Sequence, residues 1–146
     1  MHLPTGHVAR ELTALLGSRR MIRPVTSALF DPGAMERLLA TYPTARFVHL
    51  QMHPRRHGER VMAQAGGAAA TLLGARDDSV TPPLTDPQML WLMADDAVAG
   101  LRATIGSDRF HMLRVEDLAR DPAGQLARLA QALGLDTGPN TGPNVV

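Results

Sequence analysis

Residues 47–62 read FVHLQMHPRRHGERVM. An apolar run, Phe47-Val48-His49-Leu50, breaks at Pro54 and continues as a polar, strongly basic segment with helical spacing. The spacing predicts a strand over Arg46–Met52, then a turn, then a helix opened by Pro54. In open α/β sheets ligands bind beyond the carboxyl ends of strands, where helix N-termini point. A helix that starts there offers unpaired N–H groups and partial positive charge, the ingredients of an anion site. Arg55, Arg56 and Arg60 add full charges. Arg56 and Arg60 are four residues apart and share a helical face, while Arg55 points elsewhere. Phosphate or sulfate is the anion this pattern suits. The same residues also fit a solvated basic face beside Glu59.

Working outward, Asp-Pro recurs three times, at Asp31-Pro32, Asp86-Pro87 and Asp121-Pro122. Each pair reads as a helix start, with aspartate as N-cap and proline at the first helical position. Apolar residues at helical spacing follow in each case: Met35, Leu38 and Leu39; Leu90, Trp91, Met93, Val98 and Leu101; Leu126, Leu129 and Leu133. Val8, Leu12, Leu15 and Leu16 predict a first helix over His7–Leu16, stopped by Gly17. Met21–Thr26 reads as a short strand or extended segment, and Arg109–Val115 as a strand. The helix after Pro54 is expected to reach Leu73, weakened at Gly66-Gly67. Ala75–Pro87 reads as a loop. The order alternates helix and strand, which predicts an α/β fold with a short, mostly parallel sheet flanked by helices. Residues 1–136 are expected to form one domain, and the doubled TGPN of 137–146 a disordered tail.

Composition sets limits. The chain has 146 residues, 45% hydrophobic and 3% aromatic, with a net charge of +1. So small a charge argues against a nucleic-acid coat. It has no cysteine, and all fifteen of its Lys+Arg residues are arginine. Thiolate chemistry is therefore excluded, and so is any step that needs a lysine. Arginine clamps anions but exchanges protons poorly. His49, His53 and His57 are spaced by four but fall on a strand, a turn and a helix, so no metal site is expected. No signal peptide or membrane-length apolar run is visible, so a soluble cytoplasmic protein is expected.

Four segments resemble the sulfotransferase family in the family's order. TYPTARFVHLQMHPRR is similar to FP-x-A-(R/K)-F-I-H-L-V-R-D/H-P-R. RFHMLRVEDLARDPAGQLARLAQALGLD is similar to the strand, (Y/F)-E-D-L, D-P and F-L-G-L segment. MLWLMADDAVAGL resembles the intervening Trp-containing helix, and RPVTSALFDP the K-(T/S)-P-x-Y-x-L segment. Together they cover residues 20–136. The nearest form is the bacterial sulfotransferase domain, including those of assembly-line synthases.

The resemblance implies a P-loop-like α/β domain that moves a sulfuryl group from 3′-phosphoadenosine 5′-phosphosulfate to a hydroxyl or amine, without a metal. If the chain carries out that transfer, Arg55, Arg56 and Arg60 are expected near the donor's 3′-phosphate, Arg23 near the sulfuryl group and His53 as the base; His53 and Arg55 match positions that vary in the family. Glu116 and Asp117 match the E-D pair, with a capping and bracing role. Four departures stand out. The family's 5′-phosphosulfate loop and its lysine precede anything matched here. The strand-end arginine becomes Met52, the serine eight residues later becomes Arg60, and the aromatic before E-D-L becomes Val115. The expectation is a truncated or degenerate family member, weak or inactive alone, with a homodimer or a completing partner chain covering its sheet edges. A non-catalytic α/β anion-binding or protein-interaction module is the alternative.

Overall fold

The computed structural model describes residues 5–16 and 20–135. They fall in two compact units, 1–43 and 44–146. The first holds α1 (Thr5–Leu16), α2 (Thr26–Leu29) and α3 (Pro32–Thr41). Residues 21–25 are irregular rather than a strand. Pro24 removes a ladder donor, and the segment pairs with no strand among the described residues. Asp31 caps α3 by accepting the Ala34 N–H at 3.1 Å.

The second unit contains β1 (Phe47–Gln51), α4 (Pro54–Ala63), α5 (Ala68–Leu72), β2 (Arg76–Asp77), β3 (Leu84–Thr85), α6 (Pro87–Ile105), β4 (Phe110–Arg114), α7 (Val115–Arg120) and α8 (Pro122–Leu133). Strands β1 and β4 pair in parallel, with Phe47 beside Phe110 and Gln51 beside Arg114. The expected α/β architecture with a short parallel sheet flanked by helices is therefore present. Paired residues share a face. Phe47, His49, Phe110 and Met112 look towards α6, and Val48, Leu50, His111 and Leu113 look the other way.

The core is thin and lies along α6. Leu90, Val98, Leu101 and Ile105 are buried at helical spacing, with Phe47 and Phe110 on the sheet face towards α6; Leu113 is buried on the opposite face. Aspartate fixes the start of two further helices. Asp86 accepts the Gln88 and Met89 N–H groups at 2.9 and 3.0 Å, and Asp121 accepts that of Gly124 at 2.9 Å. Each such cap contributes about 1 kcal/mol. At the far end of α8, Gly134 turns left-handed (φ 63°), and Arg46 donates to the Ala132 carbonyl at 2.9 Å.

The helix opened by Pro54 is shorter than expected. It ends at Ala63 and passes through a 3₁₀ turn, Ala65–Gly67, into α5. Gly66 and Gly67 hold φ of 62° and 81°, a backbone that ends a helix. Gly67 is also sterically required. A Cβ there would sit 2.7 Å from Thr85 Cγ2 and 2.9 Å from Met62 Sδ. The expected loop after Ala75 contains the antiparallel pair β2–β3. Its base is anchored by Thr71 and Thr85, whose hydroxyls lie 2.8 Å apart. The 137–146 segment lies outside the described residues, as does Gly17.

Candidate anion-binding site

The parallel register places the two strand ends together. Gln51 stands beside Arg114, so the residues that follow, Met52–His53 and Val115–Glu116, leave the sheet side by side. The His53 N–H donates to Glu116 Oε1 at 3.0 Å. The Met52 carbonyl accepts the Trp91 indole N–H at 2.9 Å. Both polar ends of one peptide unit, Met52–His53, are thus held by side chains from different elements, α7 and α6. That peptide is the hinge between β1 and α4.

Four N–H groups at a helix start lack intrahelical acceptors. Here Pro54 has none to offer. The Arg55 N–H goes to His53 Nδ1 at 3.3 Å, and the His57 N–H to the His53 carbonyl at 3.0 Å. The Arg56 N–H remains. His53 therefore acts as the N-cap, in place of the aspartate used elsewhere. Accepting through Nδ1 puts the proton of the neutral ring on Nε2, so the ring presents a donor rather than a base in this arrangement.

Beside the hinge lies a groove of about 350 Å³ lined by Met52, Arg56, Glu59, Arg60, Ala63 and Val115. Arg55 turns away from it and pairs with Glu59 at 3.1 Å. Among the described residues neither Arg56 nor Arg60 makes an ion pair. Two unpaired guanidiniums and a helix N-terminus therefore meet one acidic side chain, Glu59. Glu116 lies close by, and its carboxyl is held below the ordinary carboxylate value. The His53 N–H is the main cause, then its own backbone N–H, with Arg114 and Arg56 adding smaller attractions. It stays charged and keeps its grip on the hinge through the neutral range.

A larger groove, about 530 Å³, runs along α6 and is lined by His49, Gln51, Asp95, Arg102, Phe110 and Met112 among others. It flanks the sheet rather than capping the strand ends. Burial lowers the His49 pKa against the opposing pull of Asp95. The smaller groove carries the concentrated positive charge and the free helix terminus, so it is the candidate anion site.

The structure thus brings Arg56 and Arg60 to one groove, sends Arg55 to Glu59, and makes His53 a cap. Arg23 lies in the other compact unit. Two supporting residues were not singled out from sequence for what they do. Trp91 reads in the sequence as part of a helical apolar stripe and of the Trp-containing segment, with no role at the hinge, and Glu116 as bracing the turn after its own strand.

Residues 18–139 match the model of the sulfotransferase family. The chain belongs to that family. Two curated relatives, omega-hydroxy-beta-dihydromenaquinone-9 sulfotransferases Stf3 of Mycobacterium bovis and Mycobacterium tuberculosis, are each 33% identical over 104 residues, 67% of this chain and 25% of theirs. Among solved structures, the sulfotransferase domain from the curacin biosynthetic pathway superposes with a TM-score of 0.74 at 19% identity, covering 92% of this chain and 45% of that one. The sulfotransferase domain of the Synechococcus PCC 7002 olefin synthase gives 0.69 at 22%, covering 91% and 43%. This sulfotransferase-family chain therefore spans about a quarter of the length of the curated relatives it matches and under half of the solved domains.

Proposed function

We propose that this sulfotransferase-family chain binds the adenosine-phosphate part of 3′-phosphoadenosine 5′-phosphosulfate at the groove beside the Met52–His53 hinge. The reaction it would serve is sulfuryl transfer to a hydroxyl or amine. The S–O bond to the donor phosphate breaks, a bond to the acceptor oxygen or nitrogen forms, and the acceptor proton passes to a base. The observation that carries this reading is a groove lined by two guanidiniums without ion pairs, Arg56 in the first turn of α4 and Arg60 in its last, beside a hinge peptide held at both ends. Two like charges lining one groove raise the local positive potential and favour an anion there. A relative named for an omega-hydroxy substrate favours a hydroxyl acceptor. His53 serves as base only if Nδ1 gives up the Arg55 N–H.

The chain is expected to be weak alone. Met52 stands at the strand end where the resemblance expects a charge. That substitution favours a second reading, a non-catalytic anion-binding module.

Calorimetric titration with 3′-phosphoadenosine 5′-phosphate separates them. Micromolar binding, about −8 kcal/mol, supports the donor site. Arg60→Ala should then weaken it about 10–100-fold, the loss of one charge-assisted contact. No binding at millimolar nucleotide by the folded chain supports the non-catalytic module. Unchanged affinity in Arg60→Ala removes the assignment of Arg60.

A further inference from the structure

Among the described residues Glu59 is the one acidic side chain lining the groove beside the hinge. On a helix, residues three and four positions apart are neighbours. Towards the start of α4 these are Arg56 and Arg55, so two arginines compete for one carboxylate. Towards its end they are Met62 and Ala63, which carry no charge. The competition has a definite outcome. Arg55 Nε donates to Glu59 Oε1 at 3.1 Å, while among the described residues Arg56 makes no ion pair. The arginine that takes Glu59 lies outside the groove, and Arg56 and Arg60 line it. Glu116 also attracts Arg56, but it already accepts the His53 N–H at 3.0 Å. The partner that Glu59 takes therefore sets whether Arg56 is open to a ligand.

We propose that Arg55 is a positioning residue for the anion site: by holding Glu59 it keeps that carboxylate off Arg56 and leaves both groove guanidiniums to the ligand. This rests on the anion-binding reading above and adds a residue that acts without touching the anion. The Arg55 and Glu59 side chains are 84% and 62% exposed. An exposed ion pair of this kind is weak, and the weakness is what makes the choice of partner matter. Exchanging one surface arginine for another costs Glu59 little. Without Arg55, the carboxylate turns to Arg56, its neighbour at three positions, and competes there with an incoming anion. Breaking a surface pair to reach Arg56 lowers affinity about two- to fivefold. The three arginines of α4 thus divide their work: one neutralises the groove's acid, and two face the ligand.

The test is a double-mutant cycle, read by calorimetric titration of the full chain at low ionic strength, where surface charge is least screened. The probes are 3′-phosphoadenosine 5′-phosphate and, in parallel, inorganic pyrophosphate. Arg55→Gln is expected to weaken binding about two- to fivefold, with an unchanged far-UV spectrum. In the Glu59→Gln background the same change is expected to have no effect, because no carboxylate is left to move. Arg55→Lys is expected to keep the parent affinity. Equal weakening in both backgrounds overturns the proposal, since Arg55 then acts on the anion directly or through net charge. So does an Arg55→Gln chain that binds as tightly as the parent. Should that variant misfold, the unmodified chain still decides. Its arginine side-chain Nε–H resonances are followed by NMR as anion is added: Arg56 and Arg60 are expected to shift, and an Arg55 signal that shifts as they do overturns the proposal. If pyrophosphate binds and the nucleotide does not, the donor reading falls and the pyrophosphate cycle decides the role of Arg55. A folded chain that binds neither overturns both.

Discussion

Replacing Trp91 with phenylalanine tests whether the Met52–His53 peptide is held as one unit. The change removes a single donor, the indole N–H that reaches the Met52 carbonyl at 2.9 Å, and keeps a ring on α6. A net hydrogen bond contributes about 1 kcal/mol, and a carbonyl left without a partner adds to the loss. The site is only part-buried, so water recovers some of that cost. The expected destabilisation is about 1–2 kcal/mol, read by urea unfolding as a lower midpoint at unchanged slope. For a chain of this length that is a fall in Tm of about 3–8 °C. The decisive readout is the combination with Glu116→Gln, which weakens the grip on the other end of the same peptide. Freeing one end lets the hinge move, so the second loss should cost less than it does alone. Nucleotide affinity should follow the same non-additive pattern. Strictly additive effects on both stability and affinity would refute the idea of a jointly held hinge.

Three further outcomes follow from the same contacts. Gly67→Ala should cost about 2–4 kcal/mol, from left-handed backbone strain plus the clash with Thr85 Cγ2. Gly66→Ala, with nothing within 4 Å, should cost only the backbone part, about 1–2 kcal/mol, and equal losses in thermal melts would contradict the packing account. Thermal stability should fall with acid in two stages. Burial holds His49 and His57 below 6.5, and hydrogen bonding holds Glu116 below 4.5. In all three the unfolded chain takes up protons more readily, so stability is present above those values and is lost first below 6.5, then below 4.5. A Tm that stays flat from neutrality to about pH 5 would contradict the histidine part. Met52→Arg should tighten binding of 3′-phosphoadenosine 5′-phosphate about tenfold or more, by adding a cation to the same groove. Calorimetry showing no gain would mean that position 52 does not face the anion.

Much of the fold was legible because it is written locally. A capping aspartate followed by proline fixes a helix start within four residues, and Asp31, Asp86 and Asp121 all cap as their sequence implies. Strands β1 and β4 showed as short apolar runs bounded by polar turns. Two readings were decided by tertiary partners. Met21–Thr26 read as a short strand or an extended segment, and with no strand pairing to it among the described residues it is irregular as far as Val25. Gly66-Gly67 was read as a weak point, when close packing against Thr85 makes it a full break. The anion site was legible in its charges and illegible in its support. Arg56 and Arg60 share a face by simple helical spacing. Glu116 reaches His53 only because two strands 63 residues apart run parallel in one register, and no local pattern carries that. The role of His53 as a cap was likewise hidden, since histidine is not among the favoured capping residues.

The gripped Met52–His53 peptide separates shape from chemistry. Its two anchors hold backbone atoms, so the path from strand to helix does not depend on which side chain stands at 52. The side chain at 52 can be exchanged, and helix residues such as Arg56 and Arg60 can carry the charge instead, while the gripped peptide stays in place. Recognition at this turn is therefore free to drift, gaining or losing affinity one side chain at a time, on a frame that the drift does not disturb.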